Sequence, residues 1–245
     1  MIEQFEVDEL KLLFGDDFRL NDYMTIRQPE IGEIIEMGER EYSGLVQAFV
    51  ATPSDRIAQL DKQGIDWNEI TDFEMFGMVA SSLPKEMTKI LFGDFDFGEF
   101  EIVPFEEERR IVLRHKTMGF DFDELQYEAM VGYLRKVHSL KKNVRLAGNA
   151  ATKKMMIEMA YEDLEREKKK PYKSHMKSLI SALVNSPGFK YDLNQVRHMK
   201  FYAFMDSVVR TQIITSSTAL MNGIYSGNID TKKLDKNELN CMRDI

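Results

Sequence analysis

Four histidines, one cysteine and a few acidic and basic runs are the residues with which this chain could do chemistry. His115, His138, His175 and His198 lie 23, 37 and 23 residues apart. No two therefore share the i, i+4 spacing by which a helix presents a zinc pair, and each reads as a surface or half-buried histidine. Cys241 has no second cysteine to pair with and no histidine near it in sequence to take its proton. An intrachain disulfide and a Cys-rich metal site are excluded, and an incidental thiol remains. The run Gly93-Asp94-Phe95-Asp96-Phe97-Gly98-Glu99 alternates carboxylates as a calcium loop does. It lacks the twelve-residue pattern with a closing Glu, and its phenylalanines suit a turn and strand lying on a core. Glu30, Glu33 and Glu36 share a helix without a convergent partner and make a solvated face rather than an acid–base pair. No phosphate loop, dinucleotide fingerprint, G-x-S-x-G or H-E-x-x-H motif is present. The expectation is a protein that is not an enzyme and holds neither metal nor cofactor.

Binding chemistry is better represented. Lys141-Lys142, Lys153-Lys154 and Lys168-Lys169-Lys170 could meet phosphates or an acidic partner, with Tyr172 and Tyr191 as stacking platforms. The last cluster also stands where a helix C-terminus attracts cations for structural reasons alone. Methionine is abundant, 16 of 245 residues. Met155, Met156, Met159, Met199, Met205 and Met221 fall on the two longest C-terminal helical stretches, as adaptable core filler or as a surface that moulds to a partner. The net charge of −8 hides an asymmetry: residues 1–130 carry 30 acids against 12 bases, and residues 131–245 carry 11 acids against 21 bases. The basic half could meet nucleic acid, an acidic protein or a second copy, or the two halves could neutralise each other within one fold. With 43% hydrophobic and 30% charged residues the composition is that of a soluble globular protein. No stretch reaches the roughly 18 apolar residues of a membrane span.

The elements that must position these residues follow from periodicity. Phe5, Val7, Leu10 to Phe14 and Phe18 to Ile26, around Gly15-Asp16-Asp17, read as an N-terminal hairpin or two edge strands. Pro29 opens a helix with Ile31, Ile34, Ile35, Tyr42, Leu45, Val46 and Phe49 on its buried face. Shorter helices follow over about 56–63, 72–81 and 84–92. The period then switches to two for Phe100, Ile102 and Phe105, with Arg110 to His115 as the partner strand and Glu106-Glu107-Glu108 as a solvated turn. A helix over about 123–140 turns Leu125, Met130, Tyr133, Leu134 and Val137 inward. The remainder is helical: 150–170, 174–185, and a continuous helix over about 193–222 that would span about 44 Å. Its stripe is Met199, Tyr202, Met205, Val209, Ile213 and Leu220. A polar coda with one short helix near 236–242 closes the chain. The fold class is therefore α+β and predominantly α-helical, with small N-terminal and central β-hairpins and a C-terminal helical bundle. An acidic mixed α+β domain over 1–141 joins a basic helical domain over 142–245, as separate units or around one shared core.

Two stretches carry a resemblance. One runs Ile26-Arg27-Gln28-Pro29-Glu30-Ile31-Gly32-Glu33-Ile34-Ile35-Glu36-Met37-Gly38-Glu39 to Tyr42, and on through Asp66-Trp67-Asn68-Glu69-Ile70-Thr71-Asp72-Phe73-Glu74. The other runs from Gly223-Ile224-Tyr225-Ser226-Gly227 to Leu239-Asn240-Cys241-Met242-Arg243-Asp244-Ile245. Both resemble uncharacterised tail-region proteins of phages and prophages of Gram-positive bacteria, and the first also resembles tail-assembly chaperones. The resemblance implies a non-enzymatic tail-morphogenesis protein that binds another phage protein, or a second copy of itself. Its place would be the cytoplasm of the infected or lysogenic host, or the virion. The alternatives are a structural component of the mature tail, baseplate or connector, and a nucleic-acid binder using the basic half. The expected partner surface is Tyr202, Met205, Val209, Ile213 and Tyr225. Lys141, Lys142, Lys153, Lys154, Lys168, Lys169 and Lys170 are the candidate contacts to phosphate or to an acidic partner.

Overall fold

A computed structural model describes residues 7–105, 110–229 and 234–244 of the chain. The expected Phe5 strand position and the Glu106-Glu107-Glu108 turn lie outside these residues. The fold is α+β and predominantly helical, with eleven α-helices and two small antiparallel sheets among the described residues.

The first element departs from the extended reading of Leu10 to Phe14. Asp8 accepts hydrogen bonds from the Leu10 and Lys11 amides and starts a helix, α1 (Glu9–Phe14). Gly15, at φ 75°, ends it in the left-handed conformation that glycine adopts without strain. The hairpin that follows is short, β1 (Phe18–Arg19) paired with β2 (Thr25–Ile26), and the Asn21 side chain ties its turn to the Tyr23 and Met24 amides. The long helix expected after Pro29 is two, α2 (Ile31–Met37) and α3 (Glu39–Val50). Gly38 separates them at φ 101°, outside helical geometry. Ile31, Ile34, Tyr42, Leu45, Val46 and Phe49 are buried as their spacing predicts, whereas Ile35 is exposed.

A 3-10 turn (Pro53–Asp55) leads into α4 (Ile57–Lys62). The helix α5 (Asp72–Ala80) opens on a reciprocal cap between Thr71 and Glu74, and α6 (Lys85–Phe92) follows Pro84. Then come β3 (Phe100–Phe105), β4 (Arg110–His115) and the two-residue β5 (Asp121–Phe122), in the order β3-β4-β5. The His115 amide donates to the Phe120 carbonyl, and the Lys116 amide to Glu99. In an antiparallel ladder that alternation turns the backbone of Phe100, Ile102 and Pro104 to the open side of β3. Pro104 thus costs the sheet no hydrogen bond. Asp123 caps α7 (Glu124–Val137). Leu125 is 63% exposed rather than inward. It stands on the opposite side of α7 from Tyr127, Val131 and Leu134, which are buried.

Beyond residue 141 the chain forms α8 (Ala150–Lys169), α9 (His175–Val184), α10 (Leu193–Arg197) and α11 (Phe201–Tyr225), with a last 3-10 turn (Lys236–Leu239) in the coda. The continuous helix expected over 193–222 is broken at His198-Met199-Lys200. There the Met199 carbonyl accepts from the Ile31 amide and the Phe201 amide donates to Pro29. This strand-like bridge takes backbone groups that a helix would have used.

One buried cluster spans both halves of the sequence. Leu12, Phe49, Phe76, Phe97, Phe122 and Tyr127 belong to it together with Met176, Leu183, Val196, Phe204 and Val208. A smaller cluster of Ala51, Ile57, Leu60, Trp67 and Met75 lies under α4, where Met156, Ile157 and Ala160 of α8 cover it. The charges also meet across the halves: Arg197 pairs with Glu36, Lys200 with Glu30, Lys142 with Asp72, and Lys153 with Asp66.

Candidate protein-binding site

The surface of α11 is built in three zones. Near its start, Phe204 and Val208 enter the core while Tyr202, Met205 and Val209 stand half-buried beside them. These three residues, with Arg135, Lys136, Ser139, Leu140, Lys141 and Asp206, line a cleft of 410 Å³ between α11 and the end of α7. Further along, Ile213 and Ser217 are buried, and the coda lies across this part of the helix. Ser217 donates to the Glu238 carbonyl, and Arg210 donates to the carbonyls of Cys241 and Arg243. Ile213 falls between Arg210 and Ser217 on the same helical face. At the far end Tyr225 is 79% exposed. The expected partner residues therefore separate: Tyr202, Met205 and Val209 converge on one cleft, Ile213 sits beneath the coda, and Tyr225 is exposed at the far end of the helix.

The wall of that cleft is set by how α7 stops. Ser139 takes a left-handed conformation at φ 52°, and the Leu140 amide reaches back to the Arg135 carbonyl. This closing motif throws the residue after it against the helix, and here it places Leu140 beside Met205. The same two side chains line a second cleft of 250 Å³ on their other side, shared by Tyr42, Val46, His138, Met176, Leu179 and Phe201. Sequence reasoning missed this second half because its residues come from α3, α7, α9 and α11 with no local pattern joining them.

The second cleft holds a pair that no motif announces. Tyr42 Oη is 2.6 Å from His138 Nε2, and His138 Nδ1 is 2.7 Å from the Leu134 carbonyl. A carbonyl only accepts, so Nδ1 carries the proton and Nε2 accepts from the tyrosine. Burial pushes the Tyr42 hydroxyl well above the usual tyrosine range, with Glu33 adding to it. Burial also pushes His138 down to about 4 from 6.5, outweighing the Leu134 carbonyl that raises it. The imidazole is neutral in the folded protein and free to charge in the unfolded chain. Stability from this group is complete above pH 6.5 and is lost as pH falls toward 4. At pH 5 the loss is roughly 2 kcal/mol at 1.4 kcal/mol per unit. Urea unfolding at pH 7 and pH 5 measures it, and His138→Gln should remove most of the difference. Equal stability of the wild type at both pH values would mean that the ring is not buried neutral.

A carboxylate joins the two halves nearby. Glu39, first residue of α3, accepts from the His175 and Met176 amides at 2.9 and 3.1 Å, from Ser174 Oγ at 2.5 Å and from Tyr172 Oη at 2.9 Å. Burial raises its carboxyl, but the hydrogen bonds from Ser174, Met176, Tyr172 and His175 together outweigh that and hold it below the usual range.

The lysines do not form one surface. Lys142 pairs with Asp72 at 2.8 Å, and Lys153 with Asp66. Lys154 pairs with Glu158, Lys168 with Glu165 and Lys170 with Glu167, each within α8 or at its end. Lys141 lines the α7–α11 cleft and Lys169 is exposed on α8. The α8 pairs stand at opposite ends of a helix about 30 Å long. The other candidates are scattered too. His115 is buried among Phe95, Phe100 and Phe120, His198 lies 3.1 Å from Glu30, and Cys241 is exposed. In the acidic run Phe95 and Phe97 are buried and Asp96 caps the Gly98 amide. Among the described residues no three His, Cys, Asp or Glu side chains are grouped to hold a metal, and no helix is long and apolar enough to cross a membrane.

Residues 167–239 match the family model described as the YomV second domain, a phage- and prophage-associated family. The match begins at the end of α8 and takes in α9, α10, α11 and the 3-10 turn of the coda. No curated protein and no solved structure matches the chain.

Proposed function

We propose that this chain is a non-enzymatic phage protein that binds another phage protein through α11 during tail morphogenesis. The observation that carries the reading is the cleft along α11. Tyr202, Met205, Val209 and Leu140 form an apolar floor, with charged side chains on the rim. An apolar floor inside a polar rim is the anatomy of a protein-binding patch. The phage-associated match covers this helix and the coda that backs it, which supports placing the binding role there. Local pairing of most candidate lysines with acids weighs against a phosphate-binding stripe.

The test has two parts. Tagged protein should capture a phage partner from an infected-cell lysate, and Tyr202→Ala with Val209→Ala should reduce capture at least about tenfold, as loss of a central contact does. Unchanged capture by a folded double variant would overturn the site. Mass spectrometry of purified particles beside the lysate then separates the two assembly roles. Signal confined to the lysate is expected of a factor that leaves, whereas stoichiometric signal in the particles would make the chain a virion component.

A further inference from the structure

The helix α1 has two apolar faces, and the fold uses one. Leu12 is buried, while Leu10, Leu13 and Phe14 on the opposite side are 63, 41 and 75% exposed. Spacings of one, three and four residues put these three on a single strip. Acids stand at both ends of the strip: Asp8 and Glu9 before it, Asp16 and Asp17 after it. The strip begins at the border of the α7–α11 cleft, because Glu9 is paired with Lys136 of the cleft wall and α1 packs on α11. One continuous region of surface thus offers an apolar ridge with acidic ends and, next to it, an apolar hollow whose rim carries Lys136, Lys141 and Asp206.

We propose that the cleft takes the Leu10–Leu13–Phe14 ridge of a second copy of this chain, so that two copies join about a two-fold axis. This rests on the reading of α11 as the binding face and names the partner that occupies its cleft. A ridge and a hollow lying side by side are what an isologous interface needs: each copy gives its ridge and receives the other's. The charges agree in sense at one end of the ridge, where Asp16 and Asp17 would meet Lys141, while Lys136 stays paired with Glu9 of its own chain. Lys141, which has no acidic partner among the described residues, is the rim cation free to meet Asp16 and Asp17. With one three-residue ridge and one cleft from each copy, the interface belongs to the small, reversible class.

Sedimentation of the purified full chain from about 1 to about 200 µM reads the equilibrium over the range in which such interfaces associate. The wild type should pass from monomer to dimer. Phe14→Glu and Val209→Glu should each weaken association by at least about 30-fold. Mixing the two variants should restore part of it, since the heterodimer keeps one intact ridge in one intact cleft. A fold defect could not be repaired by mixing. A wild type that stays monomeric, a dimer indifferent to both substitutions, or variants that do not complement each other would each overturn the proposal. A monomer that still captures a phage partner through Tyr202 and Val209 would overturn the dimer and leave the proposed function standing.

Discussion

Replacing Phe97 by alanine is expected to remove about 4 kcal/mol of stability, a large part of the 5–15 kcal/mol that a domain possesses. The residue lies in the 3-10 turn between α6 and β3, yet its side chain is fully buried. Its ring centroid is 4.8 Å from Phe92, 5.0 Å from Phe95, 5.1 Å from Phe49, 5.8 Å from Phe100 and 6.3 Å from Phe76. One side chain therefore touches α3, α5, α6 and the start of the central sheet, mostly in edge-to-face geometry, which adds to the effect of burial alone. The neighbours that would have to close the hole are themselves large rings packed on one another, so collapse into it is restricted. Phe97→Leu should recover more than half of the loss. Urea unfolding with an unchanged slope is the measurement. A cost below about 1 kcal/mol would show that the aromatic cluster relaxes around the hole.

The second large effect belongs to Glu39. Glu39→Ala should cost about 3 kcal/mol, since it leaves two amides at the start of α9 and two hydroxyls without a charged acceptor. Glu39→Gln should lie between, because its carbonyl oxygen still accepts while its amide group faces other donors. The carboxyl is held below 4.5 in the folded protein. Its contribution is thus complete above that pH and is lost as pH falls through the lowered folded value. The wild type should lose more stability in that acid range than Glu39→Gln does, in a lower window than the one His138 governs. If alanine changes neither stability nor the protection of α9 amides in hydrogen exchange, the clamp is incidental.

The parts of this fold that sequence made legible are those with local causes. Asp72–Ala80 begins at a Thr-x-x-Glu cap, Pro84 precedes the next helix, and the segment carrying Phe100, Ile102 and Phe105 is a strand. The central hairpin is registered as one, Ile102 opposite Leu113. In α1 the signals were present, Asp8 before and Gly15 after, but a six-residue helix is too short for periodicity to outvote a run of leucines. Gly38 likewise could have warned of the break in the second helix. The break before Phe201 had no local sign at all: neither Pro nor Gly stands there, and the cause is a backbone bridge to residues far earlier in the chain, Pro29 to Phe201 and Ile31 to Met199. The site divides in the same way. The Tyr202–Val209 spacing is visible in one helix, whereas Leu140, Tyr42 and His138 join it only through tertiary packing.

Pro104 carries a consequence for how other chains can meet this protein. A strand laid along β3 would look for donors at alternate residues and find an imino acid in one of those places. A strand added at this edge would leave one of its acceptors unpaired, which disfavours lengthening the sheet there and favours recognition by side-chain shape and charge. Of the two ways in which proteins polymerise, the indiscriminate one is disfavoured at this edge and the selective one is left open.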